Sequence, residues 1–67
     1  YKRQLQKDDR VVVVDDLLAT GGTAAATRRL LERLGAKVEA FAFLIELDAL
    51  KGRDVLEGVE VISFINY

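Results

Sequence analysis

Four consecutive valines, at positions 11–14, constrain the fold more than any other feature of the chain. Valine is β-branched, and a run of β-branched residues favours a strand over a helix. No polar residue alternates with the valines, which is typical of a strand buried on both faces of a parallel sheet covered by helices. Asp15 and Asp16 follow the run and are predicted to end the strand. The run therefore predicts an α/β protein.

A helix and two further strands are predicted downstream. Helix formers occupy residues 23–34, with Thr23 as the predicted N-cap and Gly35 as the predicted left-handed stop. The apolar side of this helix is predicted to consist of Ala26, Leu30, Leu31 and Leu34. Residues 37–47 and 59–65 are rich in apolar and β-branched residues, and both segments are predicted to be strands.

The order strand, helix, strand predicts a βαβ unit, in which the strands are parallel and the crossover is right-handed. Residues 48–58 are predicted to connect the last two strands and to contain one helical turn. One helix cannot cover both faces of such a sheet. The chain also contains no Met and begins with Tyr1. We therefore expect part of a larger domain, with residues 1–10 as a polar lead-in and residues 11–67 belonging to the domain.

Composition excludes several classes of function. Lys and Arg number 10 and Asp and Glu number 11, so the net charge of −1 argues against a basic clamp for nucleic acid. Without Cys or His, the chain has no disulfide and no usual zinc ligands other than carboxylates. The longest apolar run is far shorter than the ~20 residues of a membrane span. Neither nucleic acid nor a membrane is expected as a partner.

The segment VVVVDDLLATGGT, residues 11–23, carries the candidate chemistry. Asp15 and Asp16 come at the carboxyl end of a predicted parallel strand, where open α/β sheets bind their ligands. Residues 20–23 open the predicted helix, whose unpaired N–H groups and partial positive charge attract phosphate. A ribose 5-phosphate suits both parts, because its phosphate fits the loop and its hydroxyls can donate to the carboxylates. Mg²⁺ could bridge those hydroxyls, since it accepts a few oxygen ligands and keeps its waters.

Simpler interpretations of each motif remain open. An isolated Asp pair is usually a polar strand end, and an acidic pair after an apolar strand also begins response-regulator receiver domains. The TGGT sequence alone is usually a turn, and it lacks the Lys of a Walker loop. The pair and the loop together, at their fixed distance, favour the sugar-phosphate interpretation. The receiver alternative lacks such a glycine loop.

Other candidate residues have ordinary structural interpretations. Arg28, Arg29 and Arg33 are predicted to form a solvated helix face rather than a nucleic-acid patch. Phe41 and Phe43 are predicted to pack in the core. Lys51 and Arg53 could bind phosphate, but solubility of the loop is the default interpretation, and Leu47 is by default a core residue at a strand end.

The segment at residues 11–23 closely resembles the phosphoribosyl pyrophosphate-binding signature of the type I phosphoribosyltransferases. The form DDLLATGGT, with LIELDALKGRDVL downstream, is most similar to the adenine phosphoribosyltransferases within that family. The resemblance covers roughly residues 10–67. It implies the C-terminal part of a phosphoribosyltransferase domain, with an incomplete Rossmann-like parallel sheet. It also implies conversion of adenine and phosphoribosyl pyrophosphate to AMP and pyrophosphate.

The resemblance assigns roles position by position. It implies that Asp15 and Asp16 bind the ribose hydroxyls, directly or through Mg²⁺, and that Leu47 lies near the purine. It implies that the 5-phosphate is bound by Ala19, Thr20, Gly21, Gly22 and Thr23. No catalytic residue and no direct metal ligand is assigned to this segment. The family's pyrophosphate loop, its catalytic acid and its adenine-stacking hood have no counterpart in the chain, so the chain alone is expected to be inactive.

The resemblance further implies Mg²⁺ as the cofactor, a cytoplasmic location and a homodimer for the full-length enzyme. The alternative is a regulator that keeps the fold and senses phosphoribosyl pyrophosphate without catalysis. A DNA-binding segment before Tyr1 would favour the regulator, whereas the purine-type LIELDALKGRDVL sequence argues against it.

Overall fold

The computed structural model describes residues 9–67. Three parallel strands form one sheet in the order β1-β2-β3, and the one α-helix of the described chain connects the first two. The elements are β1 (Arg10–Leu18), α1 (Gly22–Arg33), β2 (Lys37–Glu46) and β3 (Glu60–Asn66). The predicted βαβ architecture is confirmed. Residues 1–8 of the predicted polar lead-in lie outside the described residues, and Arg10 is the first residue of β1.

β1 is longer than the sequence predicted. Asp15 and Asp16 do not end it, because β1 continues to pair with β2 as far as Leu18. Asp15 lies opposite Phe43 in this register. The ladder with a neighbouring strand outweighs the low intrinsic strand preference of Asp, since that preference depends on context. The turn before the helix is therefore confined to residues 19–21.

α1 begins one residue earlier than predicted. Its N-cap is Gly21 in the left-handed region (φ 88°), and no side chain caps the helix, so the prediction of Thr23 as N-cap is wrong. Thr23 lies inside the first turn. Gly35 has φ 90°, which confirms the predicted left-handed stop.

The predicted apolar side of α1 is mostly wrong. Ala24 and Leu31 face the core, whereas Ala26, Leu30 and Leu34 are exposed. Ala24 belongs to the buried cluster that contains Phe41 and Phe43, and Leu31 packs against this cluster, so this side of the helix lies against the sheet. Arg28 was predicted to be solvated, but it is half-buried and donates from Nη1 to the Glu57 carbonyl at 2.8 Å.

The core lies on the side of the sheet that α1 covers, between the strands and the helix. Phe41 and Phe43 are 0% and 1% exposed, and their rings stack with centroids 5.9 Å apart, which confirms their predicted core role. The buried apolar cluster consists of Leu18, Ala24, Val38, Phe41, Phe43 and Leu56.

The opposite side of the sheet is apolar and open, and we call it the open face. Strand alternation puts its residues on the side away from Phe41 and Phe43. Its exposed members are Val12, Val14, Leu44, Ile62 and Phe64. Val14 is 78% exposed and Phe64 is 74% exposed. The prediction that the strands are apolar on both faces is confirmed.

We call residues 47–59, between β2 and β3, the connector. It contains two 3₁₀ turns, Asp48–Leu50 and Gly52–Leu56, where one helical turn was predicted. Lys51 between them is in the left-handed region at φ 54°. Across residues 9–67, no helix has both the length and the apolar character needed to cross a membrane.

Candidate functional site

A cavity of about 190 Å³ opens at the carboxyl end of β1. Its wall includes Asp15 and every residue of the segment 19–23, which we call the glycine loop. The other lining residues are Leu17, Leu18, Ala24 and Phe43. The structure therefore brings six of the eight residues that the sequence assigned to a ligand site together around one cavity.

The glycine loop presents the N-terminus of α1 to the cavity. The Ala25 N–H donates to the Gly21 carbonyl at 2.8 Å, which is the first bond of the helix. The N–H groups before it have no acceptor within the helix. The first turn of α1 contains no acidic residue, so no side chain of that turn offsets the positive end of the helix dipole. Thr20 and Thr23 add hydroxyl groups beside these N–H groups.

The side of the glycine loop away from the cavity rests on the connector. A Cβ atom on Gly21 would collide with Val55 and would lie 2.6 Å from the Gly52 carbonyl oxygen. A Cβ atom on Gly52 would collide with the Ala19 carbonyl oxygen and lie 2.7 Å from Leu18 Cδ1. Both glycines are buried. Only two backbones without side chains can approach this closely.

The two aspartates occupy different positions. Asp15 lines the cavity, whereas Asp16 does not, because successive side chains of a strand point to opposite faces. The Asp16 N–H donates to Asp15 Oδ1 at 2.8 Å. Neither carboxylate pairs with a cation among residues 9–67. Asp15 is thus an exposed anion at the cavity with no cation of the described chain paired to it.

Leu47 lies outside the cavity wall. It is half-buried at the end of β2, and its N–H donates to the Leu18 carbonyl at 2.9 Å. This bond joins the start of the connector to the last residue of β1. The structure therefore places Leu47 near the glycine loop but does not show it lining the same space.

Glu46 and Arg53 form an ion pair that the sequence interpretation missed. Arg53 was assigned to loop solubility, but its Nε donates to both carboxylate oxygens of Glu46, at 2.9 and 2.8 Å. Glu46 is 3% exposed. The hydrogen bond from Arg53 lowers the pKa of Glu46 below its ordinary value, and the same bond raises the pKa of Arg53. The sequence did contain a signal for this pair. Glu46 is the one acid in the otherwise apolar strand end FLIEL, and Arg53 follows it by seven residues.

The pair also joins β2 to β3. Arg53 Nη1 donates to the Val61 carbonyl at 3.0 Å, and Nη2 donates to Ser63 Oγ at 3.3 Å. Ser63 Oγ lies 2.8 Å from Glu46 Oε1, and Asn66 Nδ2 donates to Asp48 Oδ1 at 3.0 Å. Every buried polar side-chain atom in the described part of the chain has a partner. The Arg53 side chain stays 46% exposed, and Lys51 is exposed as well.

A parallel sheet with a cavity at its carboxyl edge, and with a glycine loop at a helix start in the wall of that cavity, is the arrangement in which open α/β proteins bind phosphate-bearing ligands. The chain belongs to the phosphoribosyl transferase domain family, whose model matches residues 2–66. The predicted family and the predicted part of its fold are both confirmed.

Three relatives of the chain are named adenine phosphoribosyltransferase. The chain is 64% identical over 63 residues to adenine phosphoribosyltransferase of Carboxydothermus hydrogenoformans, covering 94% of the chain and 37% of the relative. Its sequence is 50% identical to that of adenine phosphoribosyltransferase from Thermoanaerobacter pseudethanolicus, whose crystal structure it matches with a TM-score of 0.90. The match covers 92% of this chain and 36% of that one.

A third comparison includes bound ligands. The adenine phosphoribosyltransferase from Trypanosoma brucei, solved in complex with AMP, pyrophosphate and ribose-5-phosphate, is 30% identical with a TM-score of 0.84. The match covers 92% of this chain and 30% of that one. The chain therefore spans about a third of the length of these relatives. None of the three is described as a regulator, so the alternative of a non-catalytic sensor gains no support.

Proposed function

We propose that the chain supplies the ribose-phosphate-binding part of an adenine phosphoribosyltransferase, which converts adenine and phosphoribosyl pyrophosphate to AMP and pyrophosphate. The observation that carries the proposal is the single cavity lined by both Asp15 and the glycine loop. The glycine loop can bind an anion, and the Asp15 carboxylate can accept hydrogen bonds. Together they suit a ligand with a phosphate at one end and hydroxyls at the other. The relatives' shared name supplies adenine as the base.

In this proposal the 5-phosphate accepts hydrogen bonds from the N–H groups of the glycine loop and from Thr20 and Thr23. The ribose hydroxyls donate to Asp15, with Asp16 contributing directly or through a bound ion. Leu47 contacts the edge of the purine. The described residues bind and orient the sugar, and no catalytic acid or base is assigned to them.

Mg²⁺ belongs to the proposal as an ion held mainly by the substrate. Residues 9–67 contain no group of three acidic, His or Cys side chains arranged to hold a metal. Asp15 does offer carboxylate oxygens at the cavity, the type of ligand that Mg²⁺ prefers. When bound, the ion would stabilise negative charge on the departing pyrophosphate.

The chain's contribution to the reaction is positioning and electrostatics. The bond from ribose C1 to pyrophosphate breaks and a bond from C1 to adenine forms, so positive charge develops on the sugar ring. Anchoring the phosphate and the hydroxyls holds C1 in place. The carboxylate of Asp15, which pairs with no cation among residues 9–67, favours the developing positive charge, and Asp16 on the opposite face of β1 adds to this effect at longer range. A homodimer and a cytoplasmic location are part of the same proposal.

The test measures AMP formation by the full-length protein and, separately, binding of AMP and of adenosine. Loss of the phosphate should weaken binding strongly, because adenosine makes no contact with the glycine loop. Thr23→Ala should weaken AMP binding by a few tenths to ~2 kcal/mol through loss of the hydroxyl. A structure of the complex with its phosphate away from residues 20–23 would refute the assignment.

A further inference from the structure

The connector lies directly under the glycine loop, and this contact is made by backbone atoms. Gly52 touches the Ala19 carbonyl and Gly21 touches the Gly52 carbonyl, so neither segment can shift without the other. Val55 touches Gly21 from the same side. The position of the Gly21 N–H therefore depends on where residues 52–55 lie.

The connector is held in place by the residue that follows Gly52. The backbone of a 3₁₀ turn is weakly constrained by its own hydrogen bonds. Arg53 constrains the turn beside Gly52, since its guanidinium donates to Glu46, to the Val61 carbonyl and to Ser63 Oγ, whereas the buried Leu56 holds the other end of the same turn. These acceptors belong to β2 and β3, the rigid part of the fold. Glu46 is itself buried and fixed by Ser63 and Asn66.

We infer that Arg53 is a positioning residue for the phosphate site: through its ion pair with Glu46 it fixes Gly52, and Gly52 fixes the glycine loop. Arg53 does not line the cavity, so it acts without touching the ligand. The inference rests on the proposed function, because it concerns the affinity of the same site for a phosphate. It adds the connector to the residues that determine that affinity.

Three variants of the full-length protein separate positioning from charge. Arg53→Lys keeps the positive charge but loses the planar group that reaches three acceptors at once. Gly52→Ala leaves the ion pair intact and displaces the Ala19 carbonyl directly. Lys51→Gln is the control, because it removes a positive charge from an exposed side chain of the same connector.

Binding of ribose 5-phosphate and of adenine is measured by calorimetry for each variant. We expect Arg53→Lys and Gly52→Ala to weaken ribose 5-phosphate binding by about ten- to a hundredfold, as small displacements of positioning groups do. Adenine binding should stay unchanged, and Lys51→Gln should bind both ligands as the wild type does. The amide resonances of Gly21 and Gly22 should shift in Arg53→Lys without any ligand.

Other outcomes overturn the inference. The inference is wrong if folded Arg53→Lys and Gly52→Ala bind ribose 5-phosphate with wild-type affinity. It is also wrong if these variants lose affinity for ribose 5-phosphate and for adenine equally. If neither variant folds, Val55→Ala tests the contact between the connector and Gly21 through which Arg53 acts, and wild-type affinity for ribose 5-phosphate in this variant overturns the inference. A wild-type protein that binds no ribose 5-phosphate refutes the proposed function instead, and the amide shifts then still decide whether Arg53 positions the loop.

Discussion

Asp15 of β1 lies directly opposite Phe43 of β2, and both residues line the same cavity. Phe43 is 1% exposed, so the base of the cavity is continuous with the hydrophobic core. The pairing of β1 with β2 therefore fixes the position of the Asp15 carboxylate. The glycine loop, which rests on the connector, forms the side of the cavity that we propose for the phosphate. The two halves of the proposed site should respond differently to substitution.

Asp15→Asn should weaken ribose 5-phosphate binding in the full-length protein by about ten- to a hundredfold, because a hydrogen bond to a charged acceptor contributes ~1.5–3 kcal/mol. The maximal rate of AMP formation should fall as well, since the carboxylate favours positive charge on the sugar. Asp16→Asn makes the same change of charge one residue away and should have the smaller effect. Calorimetry and steady-state kinetics measure both, and an unchanged maximal rate in Asp15→Asn would contradict the electrostatic role.

Gly21→Ala should disrupt the glycine loop, and Gly22→Ala should not unfold it. Gly21 has φ 88° and no room for a Cβ atom, whereas a Cβ on Gly22 meets only Thr20 Oγ1 at 3.9 Å. A left-handed residue other than glycine costs ~1–3 kcal/mol before any collision. Thermal unfolding should show a lower melting temperature for Gly21→Ala alone. Equal melting temperatures for the two variants would be inconsistent with the described contact.

Glu46 should make stability depend on pH in acid. Its pKa is lowered in the folded protein, first by the hydrogen bond from Arg53, so its contribution is complete above its ordinary pKa of 4.5. The contribution is lost as the pH falls through the lowered folded value. Glu46→Gln should lower the free energy of unfolding at neutral pH by about 2 kcal/mol, and should flatten the acid dependence.

The control for this experiment is Asp54→Asn, which removes an exposed carboxylate from the same connector. It should keep the wild-type dependence of stability on pH. Urea unfolding at neutral pH and below pH 4.5 provides the measurement. An acid dependence that persists undiminished in Glu46→Gln would show that other carboxylates are responsible.

The open face should control the behaviour of the 67-residue chain by itself. Exposed apolar surface of this extent promotes association, so we expect the isolated chain to self-associate, to lack a cooperative thermal transition and to form no AMP. Val14→Lys combined with Phe64→Lys should increase the monomer fraction in sedimentation experiments. Leu30→Lys, at a residue 60% exposed on α1, should change it little. A monomeric wild-type chain with measurable turnover would refute this prediction.

Much of the fold was predictable because local patterns determine it. The unbroken apolar runs predicted β2 and β3 to within one residue, and Gly35 correctly predicted the stop of α1. The side of α1 that faces the sheet was not predictable from periodicity. Leu30 and Leu34 continue an apolar stripe in sequence, but the packing of Ala24 against the sheet determines the orientation of the helix.

The candidate site also has one part that the local sequence predicts and one part that depends on tertiary structure. The glycine loop and Asp15 lie within one short segment, and their motif predicted their neighbourhood correctly. Glu46 and Arg53 are separated by the 3₁₀ turn Asp48–Leu50, and Arg53 lies within the second 3₁₀ turn; no local pattern specifies either turn. The pair depends on the path of the connector and on Ser63 of β3, so sequence spacing alone did not predict Glu46 as the partner of Arg53.

The parallel arrangement of the sheet has a consequence for how the chain acquires its structure. Arg10 pairs with Lys37 and Ala40 pairs with Glu60, so neither strand pair forms from a hairpin between sequence neighbours. Loops must close before these pairs contribute any stability, which makes such topologies slow to fold. During synthesis on the ribosome, β1 cannot form its pairs with β2 until β2 has emerged. The glycine loop is thus translated before the connector on which it rests, and it can reach its final position only after the connector has been made.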